Sequence, residues 1–361
     1  MKHRVAIVKT DIGVAKATKK AVELLGGIDK FIEPGQKTLL KPNLFTVKGP
    51  ETGATTDMRV VLAVHELLKE HGSKTVLGEC PATAAYTRPD VVFDGLGVRN
   101  LCEENGIEIT MLDREPPVKR PIEGVVLNDI WFPETATKNP VISFPTLKTH
   151  ALTTLTCAVK NLFGLQQGGT KAHHHVHVGN DTKAFNHLLL DIYTAIKDQV
   201  KFHVVDAHIA MEGEGPAAGD PVNLGLIIAG EDAVAVDLVA ASIMGWDPVN
   251  EVGTNYLAIQ RGIGPRGMKE IEVLGEPIWA VMCTMKKPQI HQNGQMFIDI
   301  RMPIEVDPDK CIACGVCAKV CPAQVITVQE LPEFNMDRCI QCFCCVELCP
   351  HGAMKAIRPD E

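Results

Sequence analysis

The sequence predicts an α/β body, a sheet with helices on both faces, followed by a small cysteine-rich α+β unit. Three observations carry this. Strand-like apolar runs alternate with amphipathic helical runs through residues 1–275. From about Met302 the composition changes to short β-like runs around cysteines. Nine of the 13 cysteines crowd between Cys311 and Cys349, while Cys80, Cys102, Cys157 and Cys283 are scattered. We divide the chain into 1–275 (body), 276–302 (a connection that includes the aperiodic polar stretch Gln289–Gln295) and 303–361 (tail).

The elements of the body follow in order. Val5–Val8 reads as a strand, too short for the apolar core of a signal peptide. Val14–Leu25 is helical, Thr38–Leu40 a strand, Met58–Glu70 a helix and Thr75–Leu77 a strand. Leu101–Glu104 is helical, Ile107–Met111 extended, Val141–Phe144 a strand and Leu155–Phe163 a helix. Lys201–Asp206 and Leu224–Ala229 are strands, and Asp232–Met244 closes the series as a helix. Gly213-Glu-Gly215-Pro-Ala-Ala218 matches a dinucleotide fingerprint on paper. Pro216 and Gly219-Asp220-Pro221 stand where its helix should begin, so it reads as a loop.

Composition excludes several classes. At 45% hydrophobic and 22% charged residues the chain is an ordinary globular protein. A net charge of −8, no basic run and 5% aromatics argue against nucleic acid as a partner. No run of eighteen apolar residues is present to span a membrane. The cysteine pattern is that of metal ligands in a reducing compartment rather than of a disulfide scaffold, and we expect a cytoplasmic protein.

The tail repeats itself. Cys311-Ile-Ala-Cys314-Gly-Val-Cys317-Ala-Lys-Val-Cys321-Pro322 returns 28 residues on as Cys339-Ile-Gln-Cys342-Phe-Cys344-Cys345-Val-Glu-Leu-Cys349-Pro350. Each copy is C-x2-C-x2-C-x3-C-P. Zinc motifs favour paired C-x2-C units separated by a long gap, and radical SAM sites need C-x3-C-x2-C; neither fits. Three thiolates of the tight loop can wrap three corners of a cubane cluster, and the fourth must come from elsewhere. Residues 303–358 resemble bacterial-type two-cluster [4Fe–4S] ferredoxins, in which it comes from the other repeat. Cys311, Cys314, Cys317 and Cys349 are then expected on one cluster, and Cys339, Cys342, Cys345 and Cys321 on the other. Cys344 departs from the pattern. It reads as a packed thiol, or as a substitute ligand for Cys345.

Polar groups collect at the predicted strand ends of the body, where open α/β sheets bind ligands. They are Lys41-Pro42-Asn43, Gly53-Ala54-Thr55-Thr56-Asp57, Gly78-Glu79, Thr146-Leu147-Lys148-Thr149-His150, Lys160-Asn161, Asp206 and Glu212. The Thr55-Thr56-Asp57 group reads either as a helix cap or as an anion site. The stretches LLKPN, GATTD, FPTLKTH, VKNLFG, VVDAHIAMEGEGPAAGDP and IIAGEDAVAVDLVAASIMG resemble the DUF362 family over roughly residues 3–265. That family is often joined to ferredoxin-type clusters, and no reaction comes with it. The resemblance implies that Lys41, Asn43, Lys148, His150, Lys160, Asn161, Asp206 and Glu212 belong to one family core, and we expect them to converge.

Such a site suits an anionic substrate or cofactor. Lys148, His150, Lys160, Asp206 and Glu212 are the expected catalytic groups; Lys41, Asn43, Thr55, Thr56 and Asn161 are the expected binding groups. His150, with a free pKa near ~6.5, suits proton transfer. The run Lys171-Ala-His173-His174-His175-Val176-His177, flanked by glycines, reads as a mobile lid or as a metal site of His173, His175 and His177 on one face of an extended segment. Three functions remain open. One is an oxidoreductase passing electrons from two [4Fe–4S] clusters to the body, with a redox partner protein. Another is a non-catalytic carrier or assembly factor docking on such a partner. The third is an enzyme whose clusters are merely structural.

Overall fold

The computed structural model describes residues 2–82, 88–292, 294–297 and 301–357. The body is built on a ten-stranded sheet. Its strands are β1 (His3–Lys9), β2 (Lys37–Pro42), β3 (Lys74–Gly78) and β4 (Glu108–Thr110). A separate hairpin of β5 (Pro117–Pro121) and β6 (Asp129–Pro133) comes next. The sheet resumes with β7 (Val141–Phe144), β8 (Thr146–His150), β9 (Thr154–Thr156), β10 (Val200–Glu212), β11 (Asp220–Gly230) and β12 (Ile271–Gly275). The order is β12-β1-β11-β10-β7-β2-β3-β4, with β8 beside β10 and β9 beside β8. Strands β10, β7, β2, β3 and β4 run parallel, whereas β11 is antiparallel to both β1 and β10.

Alternation along the strands explains the two-faced core. Val5 and Ile7 enter one apolar cluster and Ala6 and Val8 the other; Leu39 and Leu40, and Val141 and Ile142, split the same way. Helices Val14–Leu25 and Met58–Glu70 cover one face, and Thr182–Ile196 and Ala233–Ile243 the other. Helix Val14–Leu25 buries Val14, Ala17, Ala21, Val22 and Leu25 at helical spacing, and ends at Gly26 in a left-handed cap. Asp57 caps Met58–Glu70 through the Arg59 N–H, 2.8 Å away.

Three expectations change. Leu155–Phe163 is not one helix: β9 occupies Thr154–Thr156, and a helical turn begins only at Ala158. Asp206 does not end its strand, because β10 continues to Glu212 through an irregularity between Ala207 and Ile209 where β8 joins. The His-rich segment is a helix, Gly168–Val178, not an extended lid. It has no side-chain cap of its own, but Asp113 accepts the Gly168 N–H at 2.6 Å, so the acceptor comes from elsewhere in the fold.

The tail is a small α+β unit. β13 (Ile304–Val306) pairs with β16 (Met354–Ala356), and β14 (Ile326–Val328) with β15 (Pro332–Phe334). Short helices Val316–Val320 and Cys344–Glu347 follow the two cysteine loops. Phe343 inserts into the main core of the body, and Gln341 accepts the Met302 N–H at 2.8 Å. Among the described residues no helix is long and apolar enough to cross a membrane.

Candidate functional site

The parallel strands β2, β3 and β7 end at one edge, and their carboxyl ends carry a polar network. Lys41, on β2, is fully buried and meets Glu79 at 2.5 Å. Burial pushes the Glu79 carboxyl up and the Lys41 ammonium down, and their mutual attraction opposes both shifts. A Cβ at Gly164 would collide with the ends of both side chains, so a larger residue there would displace the pair. Asn161 Oδ1 accepts from Lys41 Nζ at 3.3 Å and from Asn43 Nδ2 at 3.1 Å; its amide donates to Ser143 Oγ at 2.9 Å. Lys148 Nζ donates to the Ala54 carbonyl at 2.5 Å and to Asn43 Oδ1 at 3.0 Å, and sits 4.0 Å from the centre of the Phe45 ring.

These groups line one cavity. Lys41, Asn43, Lys148, His150, Lys160 and Asn161 all face it. The sequence left out Phe45, Lys171 and His175 as lining residues, and also Cys344, Glu347 and Leu348 from the tail. The tail therefore completes a cavity that the body begins.

Thr55, Thr56, Asp206 and Glu212 lie outside it. Thr55 donates to the Lys48 carbonyl, and Thr56 donates to the Phe144 carbonyl while accepting the Asn43 N–H. They fix the loop that presents Asn43 and Ala54. Asp206 accepts the N–H groups of Asp57 (2.7 Å) and His208 (3.1 Å), and burial pushes its carboxyl up to about 7. Glu212 accepts the Lys286 N–H at 2.8 Å, tying the connection to β10.

The electrostatics set the character of the cavity. Lys160 Nζ lies over the rings of Phe163 (4.8 Å) and Phe185 (5.6 Å) and has no hydrogen bond or ion pair among the described residues. Burial lowers its pKa to about 8, so at pH 7 it remains a cation. His150 accepts the Leu152 N–H at Nδ1 (3.1 Å), which leaves the proton on Nε2. That nitrogen faces Glu347 Oε1 at 3.5 Å. Burial, then Lys160 and Lys148, hold the imidazole well below its usual range, so it is neutral at pH 7 rather than poised near it. Burial pushes Glu347 up to about 7.

His173, His175 and His177 do not form the expected cluster. On the helix the rings of His173 and His177 stack, with centroids 6.3 Å apart, while His175 turns the other way onto Phe185 at 4.9 Å. Among the described residues no three His, Cys, Asp or Glu side chains draw together as ligands of a single ion.

The tail cysteines ring two hollows. Cys311, Cys314, Cys317 and Cys349 line one; Cys321, Cys339, Cys342 and Cys345 line the other. N–H groups point at the sulfurs, from Val325 to Cys321 (3.5 Å) and from Ala353 to Cys349 (3.3 Å), which suits thiolates. Cys344 lines neither hollow and faces the body cavity.

Two family models match the chain. A family model described as "Domain of unknown function (DUF362)" matches residues 38–242, and one described as "4Fe-4S dicluster domain" matches residues 310–353. A thylakoid-associated protein of Synechocystis sp. is 32% identical over 289 residues, covering 78% of this chain and 84% of that protein. The chain belongs to the DUF362 family and, through its dicluster domain, is an iron–sulfur protein.

Proposed function

We propose that the protein is an oxidoreductase whose cavity binds an anionic small molecule beside a cluster-bearing helix. One observation carries the reading. Helix Cys344–Glu347, flanked by the hollow-lining Cys342 and Cys349, closes the cavity that contains Lys160, a half-buried cation with no counter-charge in contact among the described residues. Cys311, Cys314, Cys317 and Cys349 would hold one [4Fe–4S] cluster, and Cys339, Cys342, Cys345 and Cys321 a second. When bound, the clusters supply single electrons next to the cavity.

The chain's own groups do the rest. Lys160 attracts the anionic group, and in a site with low exposure to water that attraction is weakly screened. Lys148 and Asn43 hold the floor through fixed hydrogen bonds. His150, neutral and protonated on Nε2, faces the Glu347 carboxyl at 3.5 Å without closing a hydrogen bond to it. Phe45, Phe163 and Leu348 exclude water from the walls. A redox partner protein would meet the first cysteine loop, where Ile312 is 65% exposed and Cys314 is also exposed. The reducing cytoplasm, which keeps thiols available as ligands, is the compartment this reading requires.

The test uses the full chain with clusters reconstituted under anaerobic conditions. Iron and sulfide should each reach about eight per chain, and dithionite should bleach the clusters. Benzoate, a simple monoanion, should bind in calorimetry, and Lys160→Met should weaken it at least tenfold. With burial lowering the Lys160 pKa to about 8, the affinity should fall by up to tenfold per unit above pH 8. Benzoate binding indifferent to Lys160 and to pH would remove the oxidoreductase reading and leave the docking carrier; clusters that never reduce would remove both and leave structural clusters.

A further inference from the structure

Within the cavity two charged groups have open hydrogen-bonding valences of opposite kind, and the Thr156 hydroxyl between the walls is unpaired as well. Lys160 Nζ has only ring faces against it among the described residues. Glu347 Oε1 is buried without a hydrogen-bond partner, with His150 Nε2 3.5 Å away and outside hydrogen-bond geometry. The other charged groups are already engaged: Lys41 with Glu79, Lys148 with Asn43 and the Ala54 carbonyl, and Lys171 with the Cys80 carbonyl. Lys160 and Glu347 form no ion pair with each other, yet each is the strongest charge acting on the other. A gap therefore separates a donor from an acceptor, both desolvated. Leaving buried polar groups unpaired is costly, and a ligand that spans the gap recovers that cost.

Resting on the cavity reading above, we infer that the ligand is a small monocarboxylic acid that also bears an N–H or O–H donor, its carboxylate on Lys160 and its donor on Glu347 Oε1. The charge count favours a monoanion. One lysine is uncommitted, and no arginine among the described residues offers the fork that phosphate recognition favours. The walls call for an apolar body between the two groups: Phe45, Pro216, Val320, Pro322 and Leu348 surround it. Specificity follows from the same geometry. A site that hydrogen-bonds a substrate donor rejects the analogue lacking it, because its own acceptor is then stranded.

The experiment is calorimetry on the cluster-loaded full chain with four rigid probes: benzamide, benzoate, 3-hydroxybenzoate and 4-hydroxybenzoate. Benzamide should bind weakest, and one hydroxybenzoate should bind at least tenfold tighter than benzoate. Lys160→Met should erase the preference for acid over amide. Glu347→Leu should erase the preference for hydroxy acid over benzoate while keeping the acid preference, with iron content confirming that each variant has folded. The comparison among the four probes on the unmodified protein stands without any variant. Equal affinity for benzoate and both hydroxybenzoates overturns the inference, and Lys160-dependent benzoate binding would then still support the anion site. Absence of any Lys160-dependent binding overturns both.

Discussion

Adjacent residues can face different rooms. On a helical turn neighbours point about 100° apart, so Cys345 rings a thiol-lined hollow while Cys344 faces the body cavity. We expect Cys344→Ala to retain the full iron content and Cys345→Ala to lose roughly half of it, measured as iron per chain after anaerobic reconstitution. Equal loss in both would make Cys344 the ligand. Lysines at strand ends were legible as site candidates because a buried lysine demands a partner, and the sequence shows the partners' types. Asp206 and Glu212 drew attention on the same ground. Their carboxylates instead accept backbone N–H groups at a strand irregularity and a connection, which no local pattern distinguishes from catalysis.

Elements with strong periodicity were readable: Val14–Leu25 and Met58–Glu70 have the helical limits their apolar spacing predicts. The His-rich segment was not. Its histidines and flanking glycines carry little helix propensity, and the cap comes from Asp113, 55 residues away. Once helical, the segment cannot present three alternate histidines on one face. Replacing His173 and His177 together with Gln should leave iron content unchanged and remove no zinc or nickel, checked by elemental analysis. Loss of a second metal would restore the metal-site reading.

At the scale of the molecule, the two repeats of the tail have diverged where they meet the body. Gly315, at φ +74°, is replaced 28 residues on by Phe343 at φ +55°, a left-handed conformation that costs a bulky residue about 1–2 kcal/mol. Burial of the phenyl ring in the body core offsets that cost. Val316 and Lys319 give way to Cys344 and Glu347, which line the cavity. Phe343→Ala should therefore weaken the contact between tail and body by about 3 kcal/mol or more. Faster proteolysis within 276–302 and weaker benzoate binding would report it; an unchanged digest and affinity would show that the ring does not hold the tail in place.

By itself the sequence determined the α/β class, most of the strands and helices, and the cysteine motif. Periodicity and cluster-ligand spacing are local properties, written in residues a few positions apart. Tertiary structure alone decided that Glu347 and Cys344 complete the cavity, that Lys160 has no hydrogen-bond or ion-pair partner among the described residues, and that His150 is neutral. Each of these depends on burial and on which distant groups share a space, and both are set only when the tail packs against the ends of the parallel strands.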